Sequence, residues 1–391
     1  MRRGLIVAIA LGLMLPSPGL AAERGSIEGV VMNESTGGPQ IGVEVTLVGT
    51  TADLSDPFER TATTDADGKF RFRGLATGPE LFYTIDAVYK GGLYPSDALQ
   101  IPNDTDEPPV IETTTRVWEP TTDPDVMLVR RNLAFAIPRG DSIAVVESLK
   151  IVNLSEDAYI GRGAELGAAE PSPTFGLALP PGATESTVAI LRSSLTVPQL
   201  EPTSFGMALT AAIPPGDTEL TYSYRLTGAG GSYDLSRTAL YPVLEFSVLA
   251  EPPLRIESNR LDEDGEQTID DTQYRRWSAA EDLDPGDQVQ ALAIADAGTP
   301  AALIGGAVAV GLLVLGAVAF GLIRRSTRRR DERLARELDA ITPRDRDDLV
   351  MEIARLDLDY RAGKLDRARW NERRAGLKAR LEARDEAGAR S

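Results

Sequence analysis

The sequence predicts a mainly β chain: two tandem β-sandwiches, then one transmembrane helix and a C-terminal α-helical hairpin. Three observations lead there. Between residues 23 and 295, short β-branched and aromatic runs alternate with Gly- and Pro-rich breaks, the period-2 pattern of half-buried strands. Residues 301–323 carry no charge. Beyond them the apolar spacing changes to three and four, the period of a helix.

A chain of 391 residues has room for two or three domains. It contains no Cys and no His, which excludes disulfides, thiolate metal sites, thiol nucleophiles and every triad or haem site that needs an imidazole. No cofactor motif and no metal-ligand spacing stands out, so neither is expected. The net charge of −18 is unevenly spread. Residues 23–300 hold 19 Lys and Arg against 44 Asp and Glu, while residues 324–391 hold 20 against 15. A body this acidic repels phosphate, so no nucleic-acid partner is expected.

Two segments set the topology. Residues 1–22 carry a basic start (Arg2, Arg3), an apolar run from Leu5 to Leu15 and a small-residue end at Leu20-Ala21-Ala22, the three parts of a secretory signal peptide. Arg2-Arg3 faintly echoes a twin-arginine signal, but without a cofactor motif general secretion is the expected route. The uncharged run from Ala301 to Ile323 reaches about 35 Å as a helix, enough to cross a bilayer with some tilt. Its glycines Gly306, Gly311 and Gly316 are spaced by five, not the four of a packing face. Arg324, Arg325, Arg328, Arg329 and Arg330 follow at once. The positive-inside rule then puts the C-terminus in the cytoplasm and residues 23–295 outside. The expected location is a bacterial cytoplasmic membrane, crossed once.

In the external region, Ser26–Met32, Val43–Val48, Lys69–Arg73 and Phe82–Tyr89 read as strands, with Asp67-Gly68 as a tight turn. Their order resembles the carboxypeptidase regulatory-like domain and the related collagen-adhesin B-type repeat. The residues that match are Gly29-Val30-Val31, Gly42-Val43-Glu44-Val45-Thr46-Leu47, Thr64-Asp65-Ala66-Asp67-Gly68-Lys69-Phe70-Arg71-Phe72 and Gly74-Leu75-Ala76-Thr77-Gly78. The resemblance implies a transthyretin-like sandwich over residues 23–117, acting as a spacer or binding unit without catalytic residues. The internal Lys–Asn isopeptide bond of some adhesin repeats is not carried over, because the early strand has no Lys. Asp65-Ala66-Asp67-Gly68 fails as a calcium loop, since the Gly at the sixth place puts Thr63 at the first. A hairpin turn is expected there.

Residues 118–295 read as a second, immunoglobulin-like sandwich, with strands at Ile143–Val152, Ser186–Leu191, Glu219–Leu226 and Leu244–Leu249. Leu179-Pro180-Pro181-Gly182, Ile213-Pro214-Pro215-Gly216 and Leu283-Asp284-Pro285-Gly286 each precede an alternating run, as turns that launch strands. Asp262-Glu263-Asp264-Gly265 with Asp270-Asp271 reads as a solvated acidic loop. Paired carboxylates such as Glu147 and Glu245 would suffice for glycoside hydrolysis, but no spacing singles them out. Tyr222, Tyr224 and Tyr233 are expected in the core or at strand edges rather than as sugar platforms. A non-catalytic domain follows.

Residues 331–384 are helical by pattern. Thr342, Pro343 and Asp345 suit a helix start. Leu349, Ile353, Leu356 and Tyr360 then form one apolar stripe, which Gly363 ends; after Asp366, Trp370, Leu377 and Leu381 form a second. The stripes should face each other in a hairpin that recruits a protein partner or self-associates. The tail is similar to helix pairs of bacterial cytochrome c maturation and related envelope proteins, through Ile353-Ala354-Arg355-Leu356-Asp357-Leu358-Asp359-Tyr360-Arg361-Ala362-Gly363-Lys364 with Trp370, Arg374, Leu377, Lys378 and Leu381. That similarity implies, as an alternative, an accessory subunit of a membrane assembly complex. An envelope ligand outside and a membrane complete the expected partners.

Overall fold

The computed structural model describes residues 24–51, 57–103, 107–183, 185–196, 200–269, 272–295 and 367–388, together with Ile353 and Leu356. These residues are mainly strand. No helix among them is long and apolar enough to cross a membrane. The predicted signal at 1–22 and the predicted span at 301–323 lie outside the described residues.

The first unit is two facing four-stranded sheets. In one, β1 (Arg24–Asn33) pairs with the two-residue β2 (Gly38–Pro39), antiparallel with β5 (Lys69–Ala76) and parallel with β8 (Val110–Val117). The other runs β4 (Phe58–Thr63), β3 (Glu44–Thr51), β6 (Leu81–Tyr89) and β7 (Gly92–Pro95). Alternation decides which side chains meet between them. Phe70, Phe72 and Leu75 are buried on β5, and Val45 and Leu47 on β3, while Lys69, Arg71 and Arg73 face out. Gly29 pairs with Phe70, and a Cβ there would collide with the Phe70 ring. That contact explains the glycine in an otherwise β-branched strand.

The Asp65–Gly68 turn differs from the expected hairpin. It is tight: Asp65 Oδ1 accepts from the Asp67 and Lys69 amides at 2.9 Å, and Gly68 takes φ +72°. Yet β4 pairs with β3, and β5 with β1, so the turn carries the chain from one sheet to the other. Local residues fix the reversal, but the partners of the flanking strands are chosen by the core.

The second unit is built on one large sheet rather than two comparable ones. β9 (Pro120–Thr121) leads into β10 (Met127–Arg139) and β11 (Ser142–Asn153), a long hairpin that turns at Gly140 with φ +65°. The short strands β12 (Ala158–Tyr159), β13 (Gly176–Ala178), β14 (Ala189–Ser193), β15 (Leu200–Thr203) and β16 (Gly206–Leu209) follow. Then come β17 (Gly216–Thr227), β18 (Ser232–Asp234), β19 (Arg237–Thr238), β20 (Phe246–Ala250) and β21 (Leu254–Ser258). β22 (Leu261–Ile269), β23 (Thr272–Ala279), β24 (Gln288–Val289) and β25 (Ala291–Ala295) complete the unit. The seven-stranded sheet has the order β14-β17-β11-β10-β20-β23-β22. Short ladders (β13-β16-β15, β18-β25-β21 and β19-β24) contribute the rest of the same core.

The three Pro-Gly motifs account for the interruptions. Gly182, Gly216 and Gly286 all adopt positive φ (84°, 87° and 96°), as turns that launch strands require. Each adjoining Pro lacks the N–H that a longer ladder would need. The acidic stretch Asp262–Gly265 is a correction: it lies within β22, an edge strand paired to β23, not in a loop. Charges along an unpaired edge oppose sheet-to-sheet association, so the acidic residues suit a strand here.

The two units meet without a gap. Ala158, Ile160 and Ala212 from the second stretch are buried in the core of the first. The Ala212 amide donates to the Leu93 carbonyl at 2.8 Å, and Thr196 Oγ1 donates to the Ser96 carbonyl at 2.8 Å. In the tail, α1 spans Arg367–Gly388.

Candidate functional site

The core-facing phase of β11 reads Ile143, Val145, Glu147, Leu149, Ile151. A carboxylate occupies an apolar slot, and it is fully buried. Burial of an unanswered charge is prohibitive, so the surroundings must supply partners. Arg237 on β19, its side chain 6 % exposed, donates from Nη1 to Glu147 Oε1. Tyr224 Oη donates to the same oxygen at 2.6 Å, and Asn132 Nδ2 donates to Oε2 at 3.2 Å. A second guanidinium nitrogen reaches Tyr224 Oη at 3.1 Å, and the guanidinium lies 5.4 Å from the centre of the Phe246 ring. Desolvation raises the phenols of Tyr222 and Tyr224 well above their ordinary values, so both stay protonated. Burial works against the Arg237 charge, but Glu147 and the two phenols outweigh it and hold the guanidinium above its ordinary range.

This arrangement answers the sequence expectations residue by residue. Tyr222, Tyr224 and Tyr233 are buried, as expected of core tyrosines. Glu147 and Glu245 do not meet. Glu245 precedes Phe246, whose ring faces the core, and strand alternation turns Glu245 to the opposite face, where it takes Arg276 at 3.0 Å. Two carboxylates on opposite faces of one sheet cannot flank one glycosidic bond. Arg237 was not singled out by sequence. Glu147 in a core-facing slot was the available sign that a buried cation had to exist.

Beside the ion pair lies a cavity of about 50 Å³, walled in part by Phe175, Tyr241 and Phe246. It holds about three or four water-sized groups. Phe175 and Tyr241 stack with centroids 4.3 Å apart, and Tyr241 Oη accepts from the Gly176 amide at 2.9 Å. Asn132 Oδ1 is buried and has no hydrogen-bond partner, although Asn132 lines the cavity. Ala178, Arg237, Thr238, Leu240 and Val289 also line an open groove of about 800 Å³, so the cavity is the inner end of a larger depression. Phe205 (41 % exposed) and Leu292 (39 % exposed) sit on that groove.

Among the described residues no cluster of three or more acidic side chains is arranged to hold a metal ion. In the tail, Leu356 and Leu377 bury each other, and Ile353 and Trp370 pack against them, so one residue pair from each expected stripe meets. Arg374 lies 5.5 Å from the centre of the Trp370 ring. Leu349, Tyr360 and the side chain of Leu381 lie outside the described residues.

Comparison with known proteins places the N-terminal part of the chain. Residues 26–107 match the carboxypeptidase regulatory-like domain. Within that domain Asp86 sits mid-strand on β6, one carboxylate oxygen buried without a partner; burial, with Glu59 nearby, pushes it up to about 6. Where the domain joins the rest, Glu119 accepts from Asn33 Nδ2 and Tyr89 Oη, both at 2.9 Å, and from Lys90 Nζ at 2.5 Å. Tyr94 stacks on Trp118 at the same joint, with centroids 6.2 Å apart.

Among solved structures, the chain is similar to the major plantain pollen allergen Pla l 1 at 15 % identity, over 24 % of this chain and 93 % of that one, with a TM-score of 0.19. The major pilin SpaD of Corynebacterium diphtheriae aligns at 11 % identity over 72 % and 84 %, with a TM-score of 0.20. The shaft pilin SpaA of Lactobacillus rhamnosus GG aligns at 14 % over 24 % and 45 %, with a TM-score of 0.18. No curated protein matches the chain.

Proposed function

We propose that the chain is a non-catalytic cell-envelope membrane protein whose β-built body binds or spaces a partner outside the membrane, while a helical pair inside recruits a partner or self-associates. The observation that carries the reading is the closure of the buried polar cluster. Glu147 is shared by Arg237, Tyr224 and Asn132, so the most reactive-looking carboxylate is already spent. The continuous core through Ile160 and Ala212 supports a stiff body that transmits position as well as a binding surface. Its last strand ends at Ala295, a few residues before the uncharged run at 301–323 and its arginine cluster.

Membrane topology is tested cleanly because the chain has no Cys. Glu170→Cys and Ser391→Cys each give a single thiol. In intact cells a membrane-impermeant maleimide should label the first and not the second. Labelling of Ser391→Cys without lysis would overturn the assignment of sides. A hydrolytic activity intrinsic to the purified wild-type chain would overturn the non-catalytic reading.

A further inference from the structure

We infer that the free edge of β8 pairs with β8 of a second copy of this chain, antiparallel about Thr114, so that Glu112 of each copy faces Arg116 of the other; the inference rests on reading the body as a binding module and names its partner. Three observations point to that occupant. The first is the backbone. β8 has one neighbour, β1, which runs parallel to it. The Ser26 amide donates to the Pro109 carbonyl at 2.9 Å, and the Glu34 amide to the Val117 carbonyl at 2.8 Å. Odd-numbered residues of this stretch therefore turn their backbone groups toward β1. Alternation turns those of Val110, Glu112, Thr114 and Arg116 the other way. Among the described residues no strand, turn or side chain bonds to these four amides or carbonyls.

The second observation is access. The side chains of Val110, Glu112, Thr114 and Arg116 are all exposed, while Thr115 and Val117 are buried between the sheets. Nothing among the described residues covers the edge on its outer face. A row of open N–H and C=O groups this long is a template for another extended chain.

The third is charge, which selects the occupant. Residues 112–116 read Glu-Thr-Thr-Thr-Arg, opposite charges placed evenly about Thr114. An antiparallel copy uses the free groups only where an even-numbered residue stands opposite an even-numbered one. Centring the pair on Glu112 sets two carboxylates face to face, and centring it on Thr113 leaves both charges unanswered. Centring it on Thr114 gives two Glu112–Arg116 pairs flanking a Thr–Thr pair, all favourable across strands. Arg116 already meets Glu34 at 3.2 Å, but both side chains are exposed, so the guanidinium has donors left for a second carboxylate. The edge strand β22 shows the contrast. Asp262, Glu263, Asp264 and Glu266 bear one sign only and repel their own copies.

The test uses the full-length protein purified in detergent, where the lack of Cys makes each probe a single thiol. In that register the two Thr114 Cα atoms lie about 5.5 Å apart, within disulfide range, and the two Glu112 Cα atoms about 14 Å apart. Mild oxidation should therefore give a covalent dimer of Thr114→Cys and none of Glu112→Cys. Added to Thr114→Cys, either Glu112→Arg or Arg116→Glu should lower the dimer yield about fivefold or more. Mixing those two proteins should restore it, because each copy then meets the opposite charge, and recovery shows that both variants are folded. Hydrogen exchange at residues 110–116 should slow as protein concentration rises. Failure of Thr114→Cys to cross-link would overturn the pairing, and is the result expected if another protein's strand fills the edge or copies associate only through the tail. Equal cross-linking of Glu112→Cys, or a mixture no better than either variant alone, would overturn it too. Such a failure alongside intact thiol topology would leave the membrane reading standing and remove only the pairing.

Discussion

Arg237 donates to the carboxylate of Glu147 across 90 residues of sequence, in a part of the core where the carboxylate is fully buried and the guanidinium side chain nearly so. Two opposite charges brought together this way gain Coulomb energy in a low dielectric, but each also loses its hydration. The pair persists because Tyr224, Asn132 and the Leu235 carbonyl take up further lone pairs and protons. It fixes the position of β19 over the large sheet, and so holds one wall of the groove.

Removing one member should therefore cost far more than removing both. Glu147→Gln is expected to lower stability by about 3–5 kcal/mol, because Arg237 keeps its charge and loses its counter-ion. The double variant Glu147→Leu with Arg237→Met should recover most of that loss. Urea unfolding followed by circular dichroism on all three proteins checks this, and an additive double variant would show that the two residues do not act as a pair.

Asp86 makes the stability of the regulatory-like domain depend on pH. Its carboxyl is raised in the folded protein from 3.8 to about 6, so the folded state binds a proton more tightly than the unfolded chain. The associated stability is complete below pH 3.8 and is lost as pH rises through about 6. The loss amounts to roughly 2–3 kcal/mol. Asp86→Asn should then be more stable than the wild type at pH 7, and the difference should vanish near pH 4. Unfolding midpoints at several pH values measure both.

Two glycines should fail for different reasons. Gly216 has φ +87° and open space around its Cα, so Gly216→Ala should cost about 1 kcal/mol from backbone strain alone. At Gly29 the methyl would meet the Phe70 ring, and Gly29→Ala should cost about 1–3 kcal/mol through forced repacking. Adding Phe70→Leu should relieve the second variant and leave the first unchanged.

The tail pair Leu356 and Leu377 should behave as one contact. Each change to Ala is expected to cost about 2–3 kcal/mol in the local stability of the helical pair. The double change should cost less than the sum. Hydrogen exchange at residues 367–388 measures it.

Much of the strand content was legible residue by residue. The runs at Ser26–Met32 and Glu219–Leu226 fall within observed strands, and Val43–Val48 does so from Glu44 onward, because alternation is a property of neighbours. The Pro-Gly turns were legible too, since positive φ at Gly182, Gly216 and Gly286 is required locally. β22 was misread as a loop because its acidic side chains face solvent on both sides, and an edge strand buries too little to show a period. The Asp65–Gly68 reversal was recognised, but not that it changes sheets. The groove was invisible, for its walls come from segments more than a hundred residues apart.

The sequence by itself determined that this chain is strand-built, free of thiol and imidazole chemistry, and followed by an uncharged run with arginines on one side. Those properties depend on composition and on residues a few positions apart. Only the tertiary structure decided that Glu147 answers Arg237, that Ile160 and Ala212 complete the first core, and that Ala178 and Thr238 line one groove. The physical reason is that buried charges and apolar faces can be satisfied by any suitable partner in the chain. Which partner is chosen depends on the packing of the whole fold.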